Sequence, residues 1–442
     1  MRRIPLALLT LILATGSASA QDVKVTAVVD LWYTQMMDNN LRLNTASAKY
    51  YQLNAAFQEN GFSVRRCELY LNGKISDEFT YNVMFDPNTT TSATAPTALA
   101  DAFITYKPSS FFSVKVGQFK PLQTYEASMV TVPELLFYDR SQMARQFGDK
   151  RDRGLVATAN WGEATGFWGK VNVGVFNGSS DKDGGKANDS SAQKDFVTRF
   201  EFAYSREHKF GFYTRNGSTD AADKPGVLTV NGFSYAGADA PAWPYTEVLD
   251  NKDKITNYGL YYAYDDGTWI AQGEAITGLL GRRFPSLGIA KPDATTAVPN
   301  PALPIAGRQH LDQKYLGYVA TAGVRVGPHA FLLRYDFLNY NSGNDYYGPY
   351  NPYTQQTASK FDKATQTWIA NATAGNSLGA DYTPKFTEIV AGWNYTFTPA
   401  KWALANLKVN YIHRSKNFLQ PRADQTGEQG GDSVVVALQV GF

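Results

Sequence analysis

The chain has 442 residues, 43% of them apolar, 14% aromatic and 19% charged, with a mean hydropathy of −0.33. No stretch approaches the about 20 apolar residues that a spanning helix needs, so a helical membrane protein is excluded. The formal net charge is +2, so no nucleic-acid partner is expected. The length alone suggests two or three soluble domains, yet one strand rhythm runs throughout without a break in composition, so a single domain is expected after the N-terminus.

Residues 1–20 read as a secretion signal. Arg2 and Arg3 form a basic start, Ile4–Ala14 a short apolar core, and Ala18-Ser19-Ala20 a small-residue cleavage site. The mature chain is expected to begin at Gln21, leaving 21–442 as one barrel domain. Removing Arg2 and Arg3 takes the 42 basic residues to 40 against 40 acidic ones, so the mature chain is formally neutral. Cys67 is the sole cysteine and cannot form an internal disulfide.

Sixteen strand-like runs follow in chain order. They are Val23–Tyr33, Phe62–Lys74, Phe79–Asp86, Ala98–Lys107, Phe111–Lys120, Asp152–Trp161, Trp168–Phe176, Lys194–Ser205, Lys209–Arg215, Ile255–Tyr264, Gly267–Leu280, Gln313–Arg325, Pro328–Tyr340, Pro384–Phe397, Trp402–Arg414 and Gly431–Phe442. Connections after even runs are tight, as at Ile75–Glu78 and Asp265–Asp266. Those after odd runs are long, as at Thr34–Gly61, Pro121–Arg151 and Asn216–Lys254. Soluble sandwiches do not sort loops by parity, whereas a barrel through an outer membrane has short periplasmic turns and long outer loops. An even number of strands closes the sheet antiparallel, and lipid tolerates no open edge. An all-β, sixteen-stranded antiparallel transmembrane barrel is therefore predicted.

Alternation assigns the faces. Val171, Val173 and Val175 point to lipid, and Lys170, Asn172 and Gly174 to the lumen. Phe331, Leu333, Tyr335 and Phe337 point out, and Arg334 and Asp336 in. Leu407, Val409 and Tyr411 point out, and Asn406, Lys408 and Asn410 in. Tyr258, Tyr261, Tyr262 and Tyr264, with Trp393, Tyr395 and Phe397, suit interfacial girdles. In the last run Val434, Val436, Leu438, Val440 and Phe442 share one face. An alternating strand ending in Phe resembles the signal read by the barrel assembly machinery, which makes Phe442 the assembly residue.

Pro121–Arg151 differs from the other loops. Met129, Val130, Val132, Leu135, Leu136 and Phe137 interleave with Glu126, Glu134, Asp139, Arg140, Arg145, Asp149, Lys150 and Arg151. A loop left in water does not need that apolar content. Folded into the lumen it would narrow the pore; packed over the mouth or against a neighbouring subunit it would not. Assigned lumen faces carry Arg66, Lys115, Lys170, Arg199, Arg215, Arg334, Lys408 and Arg414 against Glu68, Asp101, Glu201, Asp336 and Glu388. Such an excess favours anions, unless the charges pair across the wall. His208, His310, His329 and His413 lack metal-ligand spacing, and neither a G-x-S-x-G elbow nor a P-loop is present, so no metal, cofactor or catalytic residue is expected.

Three stretches resemble the phosphate-selective porin O and P family. They are Arg65–Lys74 followed by Phe79–Asp86; Asp101–Lys107 with Val116–Pro121; and Asp139-Arg140-Ser141 with Arg151-Asp152-Arg153-Gly154. The resemblance implies a sixteen-stranded outer-membrane porin of a Gram-negative bacterium with its third loop folded inward, usually a homotrimer, passing small inorganic ions or anions such as phosphate. The positions it marks are Arg65, Arg66, Asp101, Lys115 and Lys120, with Arg140 on the loop. Alternation alone turns Arg65 outward unless a bulge intervenes. Two other roles for such a barrel remain open: a scaffold enclosing a partner, such as a multihaem cytochrome in an electron conduit, or a barrel enzyme.

Overall fold

The structure, a computed structural model, describes residues 23–37, 60–87, 99–162, 166–178, 194–220, 227–230, 233–236, 252–283, 310–339, 342–343, 360–362, 367–369, 385–401, 404–415 and 431–441. Residues 1–20, expected to be a secretion signal, most of the long outer loops and Phe442 lie outside the described residues.

All sixteen runs are strands of one closed barrel. They are β1 (Lys24–Met36), β2 (Gly61–Lys74), β3 (Phe79–Phe85), β4 (Leu99–Tyr106), β5 (Phe112–Phe119), β6 (Asp152–Gly162), β7 (Trp168–Phe176) and β8 (Asp195–Ala203), then β9 (His208–Asp220), β10 (Lys252–Asp265), β11 (Trp269–Arg283), β12 (His310–Val326), β13 (His329–Asn339), β14 (Lys385–Thr396), β15 (Ala405–Arg414) and β16 (Gly431–Gly441). Each pairs with its sequence neighbour, and β1 closes on β16 through pairs such as Leu31 with Leu438 and Thr34 with Val435. The strands β1, β9 and β12 run further toward the outer side than their hydrophobic alternation reaches, because ladder pairing continues where the side chains have become polar. Two short hairpins, Val227–Val230 with Phe233–Ala236 and Lys360–Asp362 with Thr367–Ile369, occupy outer connections. The Asn231-Gly232 dipeptide is the sequence signal for the first.

The alternation assignments hold. Asn172, Arg334, Asp336, Asn406, Lys408 and Asn410 are buried on the lumen side, while Val173, Phe331, Leu333 and Tyr411 are exposed outward. Outward rings pack across strands, as in Tyr318 with Phe337 at 4.9 Å and Phe210 with Tyr262 at 4.8 Å. Tyr261 departs from the expected girdle. It points inward, is 3% exposed, and donates to Glu201 at 2.7 Å. Its strand is tyrosine-rich on both faces, so composition hides the alternation.

A bulge also resets β2. Asp30 pairs with Arg66 but Leu31 pairs with Val64, which leaves Arg65 as the extra residue. On the outer side of Arg65 the even positions Phe62 and Val64 face out; on the turn side the odd positions Cys67 and Leu69 do.

On the inner wall three tyrosines lie over glycines of the neighbouring strand. Tyr213 faces Gly259, Tyr261 faces Gly211, and Tyr315 faces Gly278. A Cβ on Gly259 would stand 2.0 Å from the Tyr213 ring, and one on Gly211 would stand 2.0 Å from Tyr261. These rings occupy space that any side chain would take, so the wall there is thin and flat.

Candidate functional site

The third outer loop, running from Lys120 to Arg151, lies within the barrel. It contains a short helix α1 (Tyr125–Ser128), a 3₁₀ turn (Val132–Glu134) and a second helix α2 (Gln142–Phe147). Its apolar content has a direct physical reason: Val132, Leu135, Phe137, Tyr138, Met143 and Phe147 are buried against lumen-facing apolar residues of the wall. Phe137 and Tyr138 pack with Leu332, Val390, Ile412 and Val435. Phe147 stacks on Tyr315 at 4.3 Å. Buried apolar area of this kind stabilises the seat by roughly 1.5–3 kcal/mol per large side chain.

Polar contacts fix the loop's register against the wall. Wall donors meet loop carbonyls: Gln439 to Val132 at 3.0 Å, Lys408 to Leu135 at 2.5 Å, Asn394 to Leu136 at 2.6 Å and Arg334 to Asp139 at 2.8 Å. Arg334 also pairs with Glu388 at 2.7 Å and lies 4.8 Å from the Phe137 ring. Arg414 bridges Glu388 at 2.6 Å and the Tyr138 hydroxyl at 2.7 Å. Under the first limb of the loop, residues 125–136, is a cavity of about 270 Å³, lined by residues including Met129, Val130, Leu136, Lys209, Arg325 and Lys408.

The expected site residues fall into three groups. Arg65 is turned inward by the bulge, reaches Asp139 at 2.9 Å and lies over the Trp32 ring at 5.0 Å. Arg66 is buried between Asp139 at 2.5 Å and Asp30 at 2.9 Å. Burial acts to raise the Asp139 carboxyl, but the guanidiniums of Arg66 and Arg65 outweigh it and hold Asp139 well below the usual carboxylate range.

Lys120 pairs with Asp149, and Arg140 stands 3.3 Å from the same carboxylate. Burial pushes the Lys120 ammonium down to about 8, against the pull of Asp149. Arg140 also donates to the Glu126 and Val130 carbonyls at 3.1 and 3.4 Å, so it ties the loop to itself. Asp101 is bonded to Arg151 at 2.6 Å, at the loop's return to the wall.

Lys115 stands apart. It makes no ion pair among the described residues, and its ammonium lies 4.4 Å from the Phe103 ring and 5.1 Å from Phe119. Lys170 projects from β7 toward the same part of the lumen.

The expected basic excess therefore becomes a paired network. Alternation read run by run misses Asp30, Asp152, Asp195 and Glu274, all buried on the lumen side. Arg215 meets Asp195 at 2.6 Å, and Arg199 stands 3.5 Å from Glu201. Every arginine expected at the site carries a carboxylate or carbonyl partner. An acidic partner on another strand leaves no local trace, but Asp30 sits mid-run at an even, lumen-facing position, which was signal enough.

Comparison with solved structures places the fold among outer-membrane channels. The outer membrane channel DcaP of Acinetobacter baumannii aligns over 97% of this chain and 99% of its own, with a TM-score of 0.51 at 11% identity. OmpT of Vibrio cholerae aligns over 96% and 99%, with a TM-score of 0.50 at 11% identity. Likeness at that identity establishes the fold alone. No curated protein matches the sequence. The model of one family, phosphate-selective porin O and P, matches residues 40–442. The chain belongs to that family and is an outer-membrane channel for small solutes.

Proposed function

We propose that this channel admits small hydrophilic solutes through the passage left beside the third loop, with a mild preference for anions carried by Lys115 and Lys170. The supporting observation is the contrast in pairing. Arg65, Arg66, Lys120 and Arg140 share carboxylates with Asp139 and Asp149, whereas neither Lys115 nor Lys170 makes an ion pair among the described residues. Paired charges contribute little net field to a pore, and unpaired ones focused by low-dielectric walls bias entry. Phosphate, as suggested by the family's description, is one such anion.

In the same reading residues 1–20 are removed on export, 21–442 form the mature barrel, and Phe442 presents the last strand to the barrel assembly machinery before three copies associate. The mobility of native and heated chains lacking Phe442 on gels tests that assembly step. The channel reading is tested by single-channel conductance in planar bilayers, with chloride, phosphate and potassium compared. The zero-current potential across a salt gradient should indicate anion preference in the wild type and move toward zero in Lys115→Ala/Lys170→Ala. Cation preference in the wild type, or an unmoved potential in the variant, would sink the assignment of these lysines.

A further inference from the structure

The helix α1 begins without a cap of its own. Thr124 precedes it at φ 53°, the only positive value at a non-glycine residue among those described, and its side chain makes no capping bond. Its hydroxyl is buried without a partner. The first helical N–H, that of Tyr125, donates instead to both oxygens of Glu274 on β11, at 2.9 and 3.0 Å. The Tyr213 hydroxyl donates to the same carboxylate at 2.7 Å. The second helix is capped by Ser141, whose hydroxyl accepts from Ala144 N at 3.2 Å, yet its first N–H, from Gln142, also donates to a wall carboxylate, Asp336 on β13.

Both carboxylates are buried, at 6% and 0% exposure. The neighbouring guanidiniums are committed elsewhere: Arg199 to Glu201 and Ser128, and Arg334 to Glu388 and the Asp139 carbonyl. Burying a carboxylate is expensive unless its hydrogen bonds are met. Glu274 takes its bonds from the loop's Tyr125 N–H and the wall's Tyr213 hydroxyl, and Asp336 takes one from the loop's Gln142 N–H while its other oxygen is buried without a partner, so the wall charge and the loop position are mutually dependent. Between the two seats the loop is braced internally, with Ser141 N donating to Glu126 at 2.7 Å and Arg140 to the Glu126 carbonyl at 3.1 Å. The loop thus docks as one braced unit on two wall acceptors, one on β11 and one on β13.

We infer that Glu274 and Asp336 are positioning residues that set where the two loop helices stand in the lumen, and through them the width of the passage. This rests on the channel reading above, and its test separates the two. In a Cys67→Ser background, a cysteine at Met129, beside the cavity under the first limb, reports loop position through its labelling rate by a membrane-impermeant maleimide. Loss of a hydrogen bond to a charged acceptor shifts a local equilibrium by about tenfold, so Glu274→Ala should speed labelling by that order and add open-channel current noise. Glu274→Gln should stay near wild type, because an amide oxygen still accepts from Tyr125. Asp336→Ala should do the same to a reporter at Gln146.

Folded Glu274→Ala and Asp336→Ala barrels with wild-type labelling and noise would overturn the inference, as would Glu274→Gln as disturbed as Glu274→Ala. If the alanine variants fail to assemble, Tyr213→Phe leaves Glu274 one bond short and should speed labelling by less; unchanged labelling there overturns the inference too. A wild-type barrel that does not conduct would refute the channel reading, while the labelling experiment would still decide this one.

Discussion

From β8 round through β16 to β2, the lumen wall meets the third loop with apolar side chains and aimed donors; from β3 to β7 the wall packs on itself, as Phe119 does with Val156 and Phe176, and meets the loop at its roots. On the first arc Leu332, Val390, Ile412 and Val435 back the loop, and Arg334, Asn394, Lys408 and Gln439 each bond one of its carbonyls. On the second arc the loop touches the wall at its two roots, Leu122 and Arg151. Lys115 and Lys170 project there without carboxylate partners among the described residues. One barrel therefore separates two tasks that compete in a single site. Holding a loop requires satisfied, buried groups, and biasing ion entry requires unsatisfied ones that water can reach.

The largest test of that division removes the held element. Replacing Pro121–Arg151 by a short turn should raise single-channel conductance several-fold and expose the apolar arc. Unchanged conductance in a folded barrel would show that the loop does not bound the passage.

A smaller perturbation attacks one anchor. Among the described residues, Arg334→Ala leaves the Glu388 carboxylate with Arg414 as its remaining ion-pair partner and strips the Asp139 carbonyl of its donor. Breaking a buried pair from one side costs about 3–5 kcal/mol. The expected readout is a lower temperature for loss of heat-modifiable mobility, with the outer-membrane barrel still formed. The same substitution at Lys115 should leave that temperature unchanged, and a shift of similar size would blur the two arcs.

The smallest effect is a titration at their junction. Lys120 is held at about 8 by burial, below its ordinary value near 10.4. As pH rises through about 8 this ammonium loses its proton while Asp149 and Arg140 keep their charges, so the local net charge falls by one. Anion preference, read as the zero-current potential, should weaken between about pH 7 and pH 9, and Lys120→Met should remove the step.

Strand number and loop parity were legible in the sequence, because lipid imposes a period of two and a length near ten residues on every strand; the inward turn of the third loop was favoured by its apolar content and by the family resemblance, with packing over the mouth left open. The site was legible only in part. Arg66 and Lys115 read correctly as lumen residues, but their partners lie on other strands or on the loop, and pairing across a barrel has no period. Leu332, Leu338 and Phe386 are apolar yet face the lumen, since they back the loop rather than water. They blur the binary code on the strands where the loop docks. Glu274 suffers the same way, standing two residues from the inward-facing Ile276. Asp139-Arg140-Ser141 was visible as a motif, but its meeting with Arg65 depends on a bulge that alternation counts as an error.

That bulge matters to anyone who would re-engineer the pore mouth. Because the period of a strand is two, a single residue inserted or deleted on one side of Arg65 exchanges lipid and lumen faces for everything beyond it. Phe62 and Val64 owe their outward orientation to this one extra position. A graft of a foreign first loop onto β1 and β2 therefore has to be cut above the bulge. Cut below it and aligned by length alone, a graft without the extra residue would exchange the lipid and lumen faces of every side chain it places at the positions of Phe62–Arg65.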